Sequence, residues 1–291
     1  MWNNGHSFHL LMKRTLLLLA ALAALATAAA QSRIETFQVP SAILGCERPC
    51  TVYLPDGYDR SGEHYPVLYL LHGAGGSHTN WTELGNLRQI ADEAVAEGRI
   101  RPMIVVMPDA SDDGRSDAQW RVGYFDLPGW EYARFFIEEF LPAVEGHYRI
   151  RADKQHRAIA GLSMGGCGTL YYAQHHPDLF GSACPLSALI QFDAPRKASN
   201  PDYIAAFEKH NALAFLRTMT DQEADALRTV RWWVDCGDDD FLWEGNVLFY
   251  SEMRRRNIPL QYRMRDGGHT WRYWRTALPD VLLFVSTGFG K

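Results

Sequence analysis

The sequence has few cysteines, no excess of basic charge and no apolar run long enough for a comfortable membrane span, and each shortage removes a class of protein. The five cysteines, Cys46, Cys50, Cys167, Cys184 and Cys236, are odd in number and lie in no C-x-x-C or Cys/His cluster of zinc-like spacing. No metal site is expected, and most of the cysteines read as buried free thiols. Cys46 and Cys50 can join only if the chain turns at Arg48-Pro49, since residues four apart on an extended strand stand beyond the ~7 Å Cα limit of a disulfide. The 29 Lys and Arg against 34 Asp and Glu give a net charge of −5, which makes nucleic acid and anionic membranes poor partners. No Gly-Lys-Ser/Thr follows a glycine run, so a phosphate loop is excluded. There is no internal repeat.

The longest apolar run, Leu16 to Ala26, follows Lys13 and Arg14 and precedes the small residues Ala28-Ala29-Ala30, the order of an export signal. It is short and Ala-rich for a membrane span. Met12 offers an alternative start, and no Cys follows the expected cut that would receive a lipid. Residues 1–30 are therefore expected to be a signal peptide and 31–291 one domain, secreted or periplasmic, with no membrane partner after cleavage. A chain of this size buries roughly 75% of its unfolded surface, enough for one core without staples.

Beyond Gln31, short β-branched or aromatic runs alternate with longer amphipathic stretches, the pattern of an α/β domain with a mainly parallel central sheet and helices on both faces. Strands are predicted at Thr51–Leu54, Val67–Leu71, Met103–Met107, Arg157–Ala160, Ser182–Leu186, Val230–Asp235 and Leu260–Arg263. Helical spacing falls at Leu87–Ala96, Tyr132–Val144, Cys167–His175, Val247–Arg256 and Trp271–Phe284. The stretches Phe37–Arg48, Ala110–Gly129 and Ile190–Leu227 fit neither pattern and read as loops and short helices at the ends of the sheet.

Chemistry concentrates at Gly161-Leu162-Ser163-Met164-Gly165, where an apolar strand leads into G-x-S-x-G and a helical pattern follows. A turn this tight needs small residues two before and two after the Ser, and it lifts the Ser hydroxyl above the carboxyl edge of the sheet. Ser163 is thus a candidate nucleophile, and its partners in this fold follow it as an acid and then a His. Of the later histidines, His175 and His176 sit at a helix end before Pro177, where a surface role is expected, and His210 precedes every acid candidate. His269, in Asp266-Gly267-Gly268-His269-Thr270-Trp271, follows a strand and all the acids.

The acids cluster in Asp235-Cys236-Gly237-Asp238-Asp239-Asp240, where one carboxylate must accept the His269 Nδ1 proton. Asp240 is preferred because Phe241 and Leu242 behind it offer an apolar anchor; Asp239 and Asp238 follow. The ligand spacing of a calcium loop is absent. A second oxyanion donor is expected in His72-Gly73-Ala74-Gly75-Gly76, where the Ala74 N–H pairs with that of Met164 and His72 braces the loop.

These pieces, with Tyr65-Pro66-Val67-Leu68-Tyr69-Leu70-Leu71-His72-Gly73, Ile104 to Asp109, Ala160 to Gly166, Cys236 to Leu242 and Gly268-His269-Thr270-Trp271, resemble the esterase family of α/β hydrolases. That family includes S-formylglutathione hydrolases, feruloyl and acetylxylan esterases, enterochelin-type esterases and mycolyltransferases. The resemblance implies Ser163, Asp240 and His269 as a catalytic triad and an ester substrate handled without a cofactor. Trp81, Trp120, Trp243, Trp271 and Trp274 lie on or beside loops expected at the carboxyl edge, and aromatic faces there can stack on a sugar or a phenolic acyl group. Trp81 and Trp271 are the substrate-binding candidates. Export and resemblance together favour an acylated carbohydrate, with acetyl or feruloyl esters as the acyl class. An acyltransferase with a sugar acceptor, or an inactive hydrolase-fold binding protein, are the alternatives.

Overall fold

The computed structural model describes residues 32–111, 123–190 and 201–290; the leader and Trp120 lie outside them. Eight strands form the main sheet: β1 (Arg33–Ser41), β2 (Cys46–Leu54), β3 (Val67–Leu71), β4 (Ile104–Pro108), β5 (Arg157–Leu162), β6 (Ser182–Leu186), β7 (Arg231–Gly237) and β8 (Leu260–Arg265). Their order is β1-β2-β4-β3-β5-β6-β7-β8. From β4 to β8 every pairing is parallel, while β2 runs antiparallel to both β1 and β4. This is the mainly parallel α/β arrangement expected from the alternating pattern, and the α/β-hydrolase fold that the family resemblance implies.

The central strands are apolar throughout because both faces are covered. Along β3, Val67, Tyr69 and Leu71 enter one apolar layer and Leu68 and Leu70 the other, the period of two that a strand imposes. The first layer packs against Phe135, Phe136 and Phe140 and against helix α2 (Met164–His175). The second packs on helix α1 (Leu87–Ala96) and on Ala277, Leu278, Val281 and Leu282 of helix α4 (Trp271–Gly288). Helix α3 (Trp243–Arg255) lies on the first face. The predicted helix Tyr132–Val144 is interrupted by a π turn at Phe136–Phe140, just ahead of Pro142, whose missing N–H removes a ladder bond.

The stretch Phe37–Arg48, expected to be loop, is instead most of a hairpin paired from Arg33↔Leu54 to Ser41↔Cys46. β1 is an edge strand with mostly wetted side chains, so it carries no apolar run, and its Pro40 reads as a breaker although an edge tolerates it. Cys46 and Cys50 share extended strand β2, and all five thiols are free. The stretch Ala110–Gly129 is mostly irregular among its described residues, as expected, apart from Asp126–Leu127, which pairs with Trp130–Glu131; Ala110, Tyr124, Phe125 and Leu127 are core. Ile190–Leu227 contains short helices as expected, at Pro201–Lys209, Ala212–Thr218 and Asp221–Arg228. Among the described residues no helix is long and apolar enough to cross a membrane.

Candidate active site

The turn from β5 to α2 forces Ser163 into φ 54° and ψ −114°, a region that L residues adopt only under constraint. The constraint is visible in its neighbours. A Cβ on Gly161 would stand 2.5 Å from Gly165 O, and one on Gly165 would stand 2.6 Å from the carbonyl oxygens of Leu71 and His72. The turn is tied down by Ser163 N–H donating to Leu186 O at 2.9 Å, and by Cys167 N–H and Leu189 N–H donating to Ser163 O at 3.0 and 3.2 Å.

Beyond β8 the chain turns through Gly267 and Gly268 and sets His269 just before α4. His269 Nε2 lies 3.0 Å from Ser163 Oγ, and Nδ1 lies 3.0 and 2.9 Å from the two carboxylate oxygens of Asp240. A proton on Nδ1 is shared with the carboxylate, which leaves Nε2 as the acceptor facing the serine hydroxyl. Asp240 is fully buried, whereas Asp238 and Asp239 point into solvent. Asp235 is buried but committed elsewhere, to the Arg265 guanidinium and the Tyr273 hydroxyl. Burial pushes the Asp240 carboxyl up; hydrogen bonds from His269, the Leu242 N–H at 2.9 Å and Ser187 outweigh it and hold the group below the usual carboxylate range. The expected apolar anchor behind Asp240 is not what fixes it. Its carboxylate is held by the Leu242 amide, and Phe241 is 74% exposed.

Two residues passed over in the sequence, Asn246 and Ser187, and Trp274, read there as a candidate stacking surface, hold the acid and base loops in place. Asn246 is fully buried, accepts from Ala188 N–H at 3.3 Å and donates to Ala188 O at 3.0 Å and Leu242 O at 2.9 Å, joining the start of α3 to the segment after β6. Ser187, at φ 43°, accepts a hydrogen bond from Trp274 Nε1 at 3.0 Å. Trp274 in turn sets its ring edge-on to His269, with centroids 4.9 Å apart.

On the other side of the serine, Gly73 faces the elbow so closely that a Cβ there would lie 2.6 Å from Leu162 Cδ1 and 3.5 Å from Ser163 Cβ. His72 is buried; its Nδ1 donates to Gly73 O at 2.8 Å and its Nε2 accepts from Ala110 N–H at 2.9 Å, so both ring nitrogens are used in bracing the loop. Burial lowers its pKa, in keeping with a neutral ring. The same loop is held further along by Asp109, which pairs with buried Arg48 at 2.5 Å and accepts the His78 N–H at 3.1 Å. Among the described residues the Ala74 amide donates to no backbone acceptor, and the Met164 amide opens α2, where first-turn N–H groups lack intrahelical partners.

Of the tryptophans, Trp81 is fully buried with Nε1 donating to Leu71 O at 3.0 Å, so its ring cannot take a substrate; it is core, contrary to expectation. Trp271 is half-buried and packs edge-on to Trp81 and Trp274, with centroids 5.3 and 5.5 Å away. Trp243 is exposed at the start of α3.

Comparison with known proteins gives the family. The family model described as "Putative esterase" matches residues 41–285. A solved ferulic acid esterase is 41% identical, with a TM-score of 0.83 over 89% of this chain and 99% of its own. An endo-1,4-beta-xylanase/feruloyl esterase from Xylanibacter ruminicola is 37% identical over 47% of this chain, and the match spans only 19% of that relative. An acetyl esterase from Caldicellulosiruptor saccharolyticus is 26% identical over 78% of this chain and 86% of its own. On the extent of the family match and the likeness to the ferulic acid esterase, the chain belongs to the esterase family of α/β hydrolases.

Proposed function

We propose that the protein is a serine carboxylic-ester hydrolase acting on acylated carbohydrate, with acetyl or feruloyl groups as the acyl class. The observation that carries the reading is the continuous hydrogen-bonded chain from Ser163 Oγ through His269 to buried Asp240. In this reading His269 Nε2 takes the Ser163 hydroxyl proton as Oγ attacks the ester carbonyl, and Asp240 stabilises the imidazolium. The Met164 and Ala74 N–H groups hold the oxyanion. His269 then returns its proton to the leaving alcohol oxygen as the C–O bond breaks, leaving an acyl group on Ser163. Water, deprotonated by His269, attacks that acyl group, and Ser163 departs with its proton restored while the acid is released. The chain's own residues supply every group these steps need.

The acyl-carbohydrate assignment draws on relatives described as feruloyl and acetyl esterases. Cleavage of residues 1–30 as an export signal places the enzyme outside the cytoplasm, where such polymers are found. The test is a panel of p-nitrophenyl, methyl and sugar esters of acetate and ferulate, assayed with purified protein and with Ser163→Ala. Hydrolysis of the sugar esters that disappears in the variant supports the reading; persistence in the variant removes the proposed mechanism.

A further inference from the structure

The most exposed large apolar side chain among the described residues stands against the proposed general base. Phe241 is 74% exposed, yet its ring centroid is only 4.6 Å from that of His269. The buried Trp274 ring also borders the imidazole, at 4.9 Å. Trp274 is packed and hydrogen-bonded through Ser187, so it holds the imidazole in place. Phe241 buries little against the protein, and its place beside the proposed general base offers a bound substrate a flat apolar face.

Its position fixes which part of a substrate it meets. His269 Nε2 must reach the leaving oxygen to return the proton, so the leaving group lies against the imidazole, and the acyl chain extends away from it. What borders the imidazole and is open to solvent therefore contacts the leaving alcohol. We infer that Phe241 is the stacking platform for a neutral sugar ring on the leaving-group side of Ser163, and so the residue that selects esters of sugars over esters of small alcohols. The inference rests on the ester-hydrolase reading above and goes further in assigning the leaving-group subsite.

Charge around the same loop agrees with a neutral leaving group. Asp238, Asp239 and Asp266 are exposed with carboxylate oxygens within 4.8 Å of one another, and the Asp239 backbone oxygen lies 3.3 Å from where a Cβ on Gly268 would be, next to His269. Three carboxylates at that rim repel an anionic leaving group such as the dicarboxylate glutathione, and leave a sugar hydroxyl undisturbed. The apolar face of a pyranose or furanose ring laid on the phenyl ring removes its C–H groups from water, while its hydroxyls stay solvated at the edge.

A matched pair of esters tests this: one acyl group, acetyl or feruloyl, carried once on methanol and once on a pentose. Phe241→Ala is expected to lower kcat/KM on the pentosyl ester about tenfold more than on the methyl ester, chiefly through KM, the size of one lost aromatic contact. Phe241→Trp, which keeps a flat apolar face, is expected to retain the wild-type ratio of the two specificity constants and guards against a variant that merely misfolds. Equal losses on both esters, or no loss on either, overturn the stacking role. If the wild-type protein turns over neither ester, the hydrolase reading itself fails and takes the inference with it.

Discussion

Gly161 and Gly165 touch backbone to backbone across the turn that carries Ser163: a Cβ on the first would lie 2.5 Å from the carbonyl oxygen of the second. No rotamer change relieves a clash with a carbonyl, so the strand or the helix must move, and Ser163 with it. Gly161→Ala is expected to destabilise the fold by about 3 kcal/mol or more and to abolish ester hydrolysis in whatever fraction folds. Urea unfolding of the purified variant checks the first part; a loss below about 1 kcal/mol would show that the elbow tolerates the methyl group.

The same turn makes a prediction for Ser163 itself. At φ 54° a β-carbon is strained, whereas glycine is not. Ser163→Gly is expected to unfold at higher urea than Ser163→Ala, by about 1 kcal/mol, while both lose several orders of magnitude in kcat. Residual activity within about tenfold of wild type in either variant would remove Ser163 from the mechanism.

Among the neighbouring carboxylates, only Asp240 reaches His269. An amide there keeps the shape and can still accept one hydrogen bond, but it favours the wrong imidazole tautomer and does not stabilise the imidazolium. Asp240→Asn is expected to reduce kcat by about 10⁴-fold, whereas Asp238→Asn and Asp239→Asn, on exposed side chains, are expected to change it less than about threefold. Steady-state kinetics of the three variants decide this, and a larger loss at Asp238 or Asp239 would reassign the acid.

The parts of the molecule legible in the sequence are those whose local pattern has one physical solution. Val67–Leu71 is apolar at every position because both its faces are covered, and the glycines around Ser163 announce a turn that nothing larger fits. β1 was illegible because an edge strand with wetted side chains has no apolar run to reveal it. Trp81 and Phe241 show a second limit. A tryptophan on a short helix after a strand and a phenylalanine after an acid give no sign of which way they face, and here the first is core and the second is in water. Asn246 and Ser187 were missed because their work is joining segments distant in sequence, which no local spacing records.

His210 gives the fold an acid-sensitive point away from the serine. It is 3% exposed, its Nε2 donates to Asp126 O at 3.4 Å, its Nδ1 has no partner among the described residues, and its ring stacks on Phe125 at 4.5 Å. Burial lowers its pKa from 6.5 to about 4. Between those values the unfolded chain carries a proton that the folded one refuses, so stability falls as pH drops through this window, by about 3 kcal/mol at its lower end. His210→Phe, which keeps a ring on Phe125, is expected to lose much less stability than wild type between pH 7 and pH 4.5 in urea titrations. An identical pH dependence in the two proteins would place the acid sensitivity elsewhere.

The last expectation separates hydrolysis from transfer. Both routes pass through an acyl group on Ser163, and they differ in whether water or a sugar hydroxyl removes it. A transferase must keep water from the acyl-enzyme, which requires the serine and its base to be enclosed by apolar surface. Here Ser163 is only partly buried, the His269 side chain retains 19% of its exposure, and the aromatic ring beside it is open to solvent. Water therefore reaches the carbonyl carbon from the side on which the leaving alcohol departs. Free acid is the expected main product even with a millimolar sugar acceptor present, at a ratio set by the far greater concentration of water. Mass spectrometry of the products decides it: mostly acylated sugar under those conditions would overturn hydrolysis in favour of transfer, and would assign Phe241 to holding the acceptor sugar.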